Sequence, residues 1–509
     1  MRDPKVLLIY PPNQLMQEEK PRPDGGLGLL YLAGALRDIN IDADLVDATV
    51  GTDEDTPEST FYRRVHQDNG LIRIGMPWER IRELIEKGKY NIVAINSNFT
   101  PQTKMALEVA RITKEVNPEI LVILGGVNAR AIPDRFFQNG HVDMICTTEG
   151  ERIIQEIAQR WIRMEGLEGI PGTMYRRANG KITMAPPALG TFAMNLDELP
   201  LPAWDKLPFA KYDAIDSPPA VPLVGSGLRY SNMMTSRGCP FRCQYCHISM
   251  ERDGRGGLSG NIGDLRLKSM ERVLQEIYFL KSLGVTRIFF EDESLFAKKG
   301  RVKRIFEAIR NAGLTILDIN GVNLAHLFMN VAGRLVPDRA FMELLSSAGF
   351  RQITFPVESG SQRILDTYAT GKLNLEKMDL VELVRAARTA GIVCPINMMI
   401  GFPDETEEEM LRSVDLAKRL LEEGGSPYVS FFIAIPFPGS VLYEKAVAGG
   451  YLSPDFDTDI MNWKNGVMTN TTVPRDRIIE IRDWAWRTVN TDTYVQKRLE
   501  ESIGHRWNP

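Results

Sequence analysis

Apolar positions along the first 165 residues follow two alternating rhythms. Short, β-rich apolar runs stand at 5–10 (Lys-Val-Leu-Leu-Ile-Tyr), 43–47, 91–95, 120–124 and 142–146. Between them, apolar residues recur with helical spacing at 29–37, 78–86, 103–115 and 153–162. Uninterrupted apolar runs fit strands buried on both faces, and the wider spacing fits helices packed over them. Alternating strands and helices predict a doubly wound parallel sheet, with an insertion at about 50–78. Ligands of such sheets lie beyond the carboxyl ends of the strands. The loops expected to bind are therefore 11–28 (with a Gly-rich turn at 24–28), 96–100, 125–130 and 147–151. The rhythm fades over 166–230, where Leu196-Asp-Glu-Leu-Pro-Leu-Pro-Ala-Trp-Asp205 reads as a linker ordered by its prolines.

From residue 232 the alternation resumes. Strands are expected at 232–235, 286–291, 314–318, 351–357, 394–400 and 428–434, with helices at about 269–283, 300–311, 336–347, 376–389 and 405–422. Six strand–helix units are too few for a closed eight-fold barrel and predict an open, partial (β/α)6 barrel, with catalytic groups on the loops after its strands. Residues 441–509 read as helices and turns carrying Tyr451, Trp463, Trp484 and Trp486, a small and mainly helical lid domain. The expected division is 1–190, a linker at 191–225, the barrel at 226–440 and the lid at 441–509.

Length and charge narrow the classes. A chain of 509 residues should make two or three domains. Its 61 basic and 66 acidic residues leave a net charge of −5, which disfavours a nucleic-acid partner. No apolar run approaches the length of a membrane span, and Met-Arg-Asp-Pro-Lys-Val-Leu-Leu-Ile-Tyr reads as a strand rather than a signal peptide. Five cysteines, three of them clustered, make no disulfide framework, so a reducing cytoplasm is the expected home.

The cluster lies in Thr235-Ser-Arg-Gly-Cys-Pro-Phe-Arg-Cys-Gln-Tyr-Cys-His247, directly after the first barrel strand. Thiolates bind iron–sulfur clusters and other thiophilic metals. Three of them leave one iron of a four-iron cluster open to a substrate or cofactor. A structural zinc site would want a fourth ligand, and adjacent His247 is badly placed to close a tetrahedron with Cys246. Cys146 and Cys394 fall in apolar strands and read as core. The isolated His66, His141, His326 and His505 read as surface or satisfied core residues.

Cys239-x-x-x-Cys243-x-Tyr-Cys246 resembles the signature of radical S-adenosylmethionine (SAM) enzymes. Further stretches fit that family in order along the barrel: Phe290-Glu-Asp-Glu-Ser294, Val357-Glu-Ser-Gly-Ser-Gln362, Met399-Ile-Gly-Phe-Pro-Asp-Glu-Thr406 and Pro436-Phe-Pro-Gly-Ser440. The last two, with Pro11-Pro12, Gly28-Leu-Leu-Tyr-Leu-Ala33, Gly125-Gly126 and Thr148-Glu-Gly-Glu151, resemble the subgroup with an N-terminal cobalamin-binding domain, the class B radical SAM methylases. The resemblance spans roughly residues 5–445. It implies a Rossmann-like cobalamin-binding domain, a radical SAM barrel and three cofactors: a 4Fe–4S cluster on Cys239, Cys243 and Cys246, SAM, and cobalamin. SAM would meet Tyr245 near its adenine, one of Glu291, Asp292 and Glu293 at its ammonium, and Glu358 and Ser359 at its ribose. Cobalamin would be cradled by Pro12, Ser97, Asn98, Phe99, Gly125, Gly126, Glu149 and Gly150, with Asn98 or Phe99 facing the cobalt.

The Asp-x-His-x-x-Gly that many cobalamin domains carry after the first strand is absent, as the resemblance to this subgroup implies, and that loop reads Pro11-Pro-Asn-Gln. The cobalamin is therefore expected base-off, with no histidine ligand. The implied reaction moves a methyl group from SAM, by way of methylcobalamin, to an unactivated carbon from which a 5′-deoxyadenosyl radical has taken hydrogen. A flavodoxin- or ferredoxin-like protein would donate the electron. The alternatives are a non-methylating cyclase or rearrangement enzyme of the same architecture, and a cluster protein without turnover. The subgroup's substrates include antibiotics, lipids, tetrapyrroles and protein side chains. A compact chain without cysteines for auxiliary clusters leans toward a peptidyl carbon, such as a glutamine of methyl-coenzyme M reductase.

Overall fold

The computed structural model describes residues 4–17, 19, 23, 26–215, 229–252, 254, 257–318, 320–453, 456–462 and 464–503. Asp24 and Gly25 of the Gly-rich turn, residues 216–225 of the linker, Trp463 and His505 lie outside them.

All five residues of the first apolar run, Val6–Tyr10, are buried. Their side chains alternate between two cores. Leu7 and Ile9 join Ile81, Ile85, Ala106 and Val109 from the helices Trp78–Gly88 and Thr103–Val116. Val6, Leu8 and Tyr10 join Leu29, Leu36, Ile154 and Ile157 from Leu27–Asp38 and Glu151–Arg163 on the other face. Each buried Leu or Ile contributes roughly 1.5–3 kcal/mol, so a one-residue slip of register is strongly disfavoured.

The strand order is Ile182–Ala185, Thr173–Arg176, Met144–Cys146, Leu121–Gly125, Ile92–Asn96, Val6–Tyr10 and Asp44–Asp47. The last five are parallel; Thr173–Arg176 joins them antiparallel, and Ile182–Ala185 pairs antiparallel with it in turn. The expected all-parallel sheet is thus a mixed one, and the stretch after residue 166 is not strandless. Thr173–Arg176 is buried at alternate residues only, which interrupts the apolar run that marks its neighbours. Asn179-Gly180, with Gly180 at φ 81°, was the turn signal that could have revealed the hairpin. The 50–78 insertion contains Val65–His66 and Ile72–Ile74, which make a three-stranded antiparallel sheet with Asn13–Leu15.

Six parallel strand positions form the partial barrel: Tyr230–Met233, Arg287–Phe290, Thr315–Asp318, Phe350–Ile353 continued by Phe355–Glu358, Ile396–Ile400 and Val429–Ile433. The fourth, expected as one run over 351–357, changes partners at Thr354. Its first half pairs with the third strand and its second half with the fifth. A hairpin, Phe328–Val331 and Arg334–Pro337, interrupts the crossover after the third strand and was not expected. Helix Glu407–Glu422 opens on the capping box that Thr406-Glu-Glu-Glu409 spells.

Both open edges of the barrel are blunted. On the first strand, Trp204 of the linker donates its Nε1–H to the Asn232 carbonyl (3.1 Å). On the sixth, the Asn490 amide accepts from the Val429 N–H (2.7 Å) and donates to its carbonyl (2.9 Å). The helix before Asn490, Arg475–Val489, packs on the barrel, and its Ile478 and Ile481 share one core with Ile364, Ile400 and Phe402. Among the described residues no helix is long and apolar enough to cross a membrane.

Two predictions arise from the packing. A Cβ on Gly34, inside Leu27–Asp38, would stand 2.2 Å from the Leu201 carbonyl oxygen. Gly34→Ala should therefore cost about 1–3 kcal/mol despite the better helix propensity of alanine, read as a lowered urea midpoint. Asp318, at the end of the third strand, is fully buried; one carboxylate oxygen accepts from Gly321 N–H (3.1 Å) and the other has no partner. Burial pushes its carboxyl up to about 8. The folded state keeps a proton that the unfolded chain releases, so this group's contribution is full below about pH 4 and lost as the pH rises toward about 8. Asp318→Asn should gain on the parent protein across that window, measured by urea unfolding at about pH 5 and about pH 9.

Candidate active site

The cysteine loop leaves the first barrel strand through Ser236–Arg237, a short strand paired antiparallel with Arg266–Leu267. Asp292 straps this exit: its carboxylate accepts from Thr235 N–H (2.9 Å), Thr235 Oγ1 (2.7 Å) and Ser236 Oγ (2.5 Å). Gly238 then turns the chain at φ 80°, where a Cβ would lie 2.4 Å from the Asp264 carbonyl oxygen. Only glycine combines that backbone with that approach. Beyond it Cys239 N–H donates to the Gly263 carbonyl (3.1 Å), and Arg252 donates to the carbonyls of Cys239 (2.5 Å) and Phe241 (3.3 Å). The Gln244 backbone and side chain bond the carbonyls of Tyr368 (2.8 Å) and Thr367 (2.6 Å). The loop is fixed at both ends.

Cys239, Cys243 and Cys246 are unpaired, half-buried thiols. Burial raises all three, Cys246 up to about 12; Cys239 feels the charge of Cys243, and Cys246 that of both others. Among the described residues no three His, Cys, Asp or Glu groups converge on a point that could hold a single ion. Three thiols on one short loop fit a cluster, whose separate irons each take one thiolate, and fall one ligand short of a closed zinc site.

The acidic triplet divides by strand alternation. Glu291 and Glu293 line a cleft, whereas Asp292 points inward to Thr235 and Ser236. Glu291 accepts from the Asn232 amide (2.5 Å), and Glu293 from Gly238 N–H (3.1 Å). Burial pushes the Glu293 carboxyl up to about 7. Glu358, at φ 70°, accepts from the Tyr245 hydroxyl (2.9 Å) and pairs with Lys372 (2.5 Å). Ser359 is buried; its Oγ accepts from Ser361 N–H (3.0 Å) and contacts Ser413 Oγ (3.3 Å), so it shapes this turn.

The cleft, a cavity of about 290 Å³ open to solvent, lies between the carboxyl edge of the N-terminal sheet and the mouth of the barrel. The sheet side supplies Asn98, Gly125, Gly126, Thr148, Glu149 and Gly150; the barrel side supplies Gly238, His247, Glu251, Glu291 and Glu293. Pro12, Ser97 and Phe99 do not line it. Pro12 packs on Gly75, and Phe99 is 57% exposed. Ser97 holds the helix Val127–Ala131 through Asn128, whose side chain donates to its Oγ (3.0 Å). Gly126 adopts φ 110°, where a Cβ would stand 2.4 Å from Asn98 Oδ1.

Thr148 Oγ1 is buried beside the cleft without a hydrogen-bond partner, the condition of a hydroxyl awaiting a ligand. The open, glycine-edged mouth, where backbone can approach a ligand closely, and this orphaned hydroxyl fit an amide-bearing ligand such as cobalamin. The histidine among the described lining residues, His247, belongs to the cysteine loop; burial holds it below the usual imidazole range. His326, expected to be isolated, lies against Phe241 of that loop (5.6 Å between rings), and burial lowers it to about 4.

Ion pairs tie the two sides of the cleft together. Arg237, two residues before Cys239, pairs with Glu149 (3.0 Å) and Glu151 (2.6 Å) and stacks over the Tyr31 ring (4.6 Å). Arg266 also grips Glu149 (2.5 Å), and Arg130 pairs with Glu251 (2.5 Å). Burial alone would raise Glu149, but Arg237 and Arg266 hold it below the ordinary carboxylate range. Sequence reasoning missed these arginines, because their partners are 86 to 121 residues away in the chain.

Residues 26–158 match the B12 binding domain and residues 233–417 the Radical SAM superfamily. The chain is a radical SAM protein with an N-terminal B12-binding domain. It is 29% identical over 467 residues to an uncharacterized methyltransferase of Pyrococcus horikoshii, covering 91% of this chain and 86% of that one. It is 26% identical over 497 residues to the cytidylyl-2-hydroxyethylphosphonate methyltransferase of Streptomyces wedmorensis, covering 91% and 85%. In fold it is similar to TsrM of Kitasatospora setae, a radical SAM methyltransferase, with a TM-score of 0.61 at 17% identity over 88% of this chain and 76% of that one. In this radical SAM protein the matched domains meet at the cleft described above. Gly126→Val should lower cobalamin retained after gel filtration at least about tenfold, the cost of forcing a side chain into a φ that excludes it, while the iron content stays unchanged.

Proposed function

We propose that the protein is a cobalamin-dependent radical SAM methyltransferase acting on an unactivated carbon. The observation that carries this reading is the single cleft lined at once by the glycine loops of the B12-binding domain and by the acidic loop beside the three cysteines. Bound there, a 4Fe–4S cluster would supply the electron that cleaves SAM, and cobalamin would carry the methyl group. Cys239, Cys243 and Cys246 hold the cluster. Glu291 and Glu293, which face the cleft, receive the SAM ammonium; Asp292 keeps the loop in place beneath them. Tyr245 and Glu358 border the SAM site, and Ser359 braces it. Asn98, Gly125, Gly126, Thr148 and Gly150 cradle the corrin base-off, since the sheet side of the cleft offers no histidine among the described residues. The arginine pairs of Arg237, Arg266 and Arg130 keep the two halves together and exclude water. Bringing two cofactors to one substrate carbon is a matter of position, which is what the protein contributes.

The acceptor is a carbon that no neighbouring group activates; a peptidyl glutamine and a small natural product are both candidates. Cell extract, a flavodoxin-type donor and methyl-labelled SAM, incubated anaerobically, should yield labelled product together with 5′-deoxyadenosine and S-adenosylhomocysteine. Production of 5′-deoxyadenosine without S-adenosylhomocysteine would show radical chemistry without methylation and overturn the methyltransferase reading.

A further inference from the structure

The hairpin Phe328–Val331 and Arg334–Pro337, inserted after the third barrel strand, leaves one apolar face in solvent. Its two-residue turn, Ala332-Gly333, has φ of 51° and 83°, the doubly positive geometry that suits the twist of a tight hairpin. Side chains alternate between the two faces. Phe328 and Leu335 face the barrel core. On the other side Met329 stands opposite Val336, and Val331 opposite Arg334. Met329, Val331 and Val336 are 43%, 48% and 36% exposed. An exposed apolar patch with charge at its rim marks a surface for contact with another molecule.

The base of the hairpin touches the cysteine loop. His326, two residues before Phe328, lies against Phe241 (5.6 Å between rings), and Phe241 stands midway between Cys239 and Cys243. On either side of that ring Pro240 and Arg242 are exposed, so the loop reaches the surface here. Cations gather at the same base. Lys299 Nζ donates to the Phe328 carbonyl (3.3 Å) and pairs with Asp338 (2.7 Å), the residue after Pro337. Lys303 reaches the same carboxylate at 3.6 Å. Lys298 and Arg334 are exposed, and neither has an ion-pair partner among the described residues. The patch is basic on a chain whose net charge is −5.

We propose that the exposed hairpin face and the lysines at its base dock a small acidic one-electron carrier protein. The carrier gives one electron to the cluster beside Phe241 and leaves oxidised by one. The inference rests on the cluster reading made above for Cys239, Cys243 and Cys246. A cluster that cleaves SAM consumes an electron each time, and the other two cysteines of the chain are too few to hold a second cluster that could supply it. Electron tunnelling falls steeply with distance, so the electron enters where a partner comes nearest the thiolates. Charge selects the partner. Opposite charges speed association and salt weakens it, which suits the small, transient interfaces of redox pairs. A second copy of this chain would set the same cations against themselves.

The test mixes full-length protein, reconstituted anaerobically with iron and sulfide, with a reduced acidic flavodoxin or ferredoxin in a stopped-flow cell. Bleaching of the cluster absorbance gives the second-order rate. Lys298→Glu combined with Arg334→Glu should lower that rate at least about tenfold, the low end of what electrostatic steering supplies. Met329→Ser should lower it less. Added salt should slow the parent and leave the charge-reversed variant nearly unchanged. Dithionite, a small reductant that needs no docking face, should reduce every variant as fast as the parent, with equal iron per chain. Variant rates equal to the parent with both carriers would overturn the proposal. So would a slowing that dithionite shares, or a parent that dithionite reduces and neither carrier does. Should the double Glu variant take up no cluster, Lys298→Gln with Arg334→Gln decides by the same comparison. A parent dimer that Met329→Ser makes monomeric would give the face to a second copy and overturn the carrier. A parent protein that takes up no four-iron cluster overturns the cluster reading itself, whatever the carriers do.

Discussion

Cys243→Ala should abolish cluster assembly and reduce SAM cleavage to the uncatalysed background. Cys243 is the middle thiol of the loop, and its charge acts on both Cys239 and Cys246. Neither remaining cysteine is on the loop: Cys146 ends a strand of the N-terminal sheet across the cleft, and Cys394 is buried in the barrel core. The loop is held by backbone bonds at Cys239, Gln244 and Cys246, so the substitution leaves its path intact. Loss of the cluster would then follow from chemistry, not misfolding. Cys394→Ala is the control; removing one small buried side chain costs roughly 1 kcal/mol and should leave iron, sulfide and 5′-deoxyadenosine formation unchanged. Full SAM cleavage by Cys243→Ala would remove the loop from the reaction.

Arg237→Met should be the most damaging change away from the cysteines. Arg237 is nearly enclosed, and two carboxylates of the opposite domain, Glu149 and Glu151, depend on it. Removing one partner of a buried ion pair leaves charge without solvent or counter-charge, at a cost of about 3–5 kcal/mol. Glu149 keeps Arg266, but the pairing of Glu151 is lost. The expected result is a lowered urea midpoint together with loss of bound cobalamin, because the same contacts hold the cleft shut. Glu151→Gln in the Arg237→Met background should recover part of the stability, since residues in one network are coupled. A loss below about 1 kcal/mol would mean that these pairs are solvated and do not clasp the domains.

Much of this was legible along the chain, for reasons that differ from element to element. Val6–Tyr10, Ile92–Asn96 and Leu121–Gly125 are buried on both faces, so their sequences are continuous apolar runs that can be read without a structure. The hairpin of Thr173–Arg176 and Ile182–Ala185 was missed because a half-exposed edge carries alternating residues and a weak signal. The three cysteines were legible because they stand within eight residues of one another on one loop. Of the acidic triplet, the sequence showed that a carboxylate was available. The alternation of side chains at the strand end turned Glu291 and Glu293 to the cleft and gave Asp292 to Thr235 and Ser236.

Readable from residue order were the two alternating α/β patterns, the cysteine loop after the first barrel strand and the glycine loops at the sheet edge. These are local: each depends on residues a few positions apart, where spacing and backbone freedom act directly. Which residues face one another across the domains depends on the fold. Arg237 with Glu149 and Glu151, Arg130 with Glu251, and Lys372 with Glu358 and Tyr245 are matched by folding alone. It also moved Pro12, Ser97 and Phe99 out of the cleft and placed His247 and Thr148 at it. Long-range pairing of buried charges leaves no periodic trace in a sequence, because a charged residue reads the same there whether water or a partner will surround it.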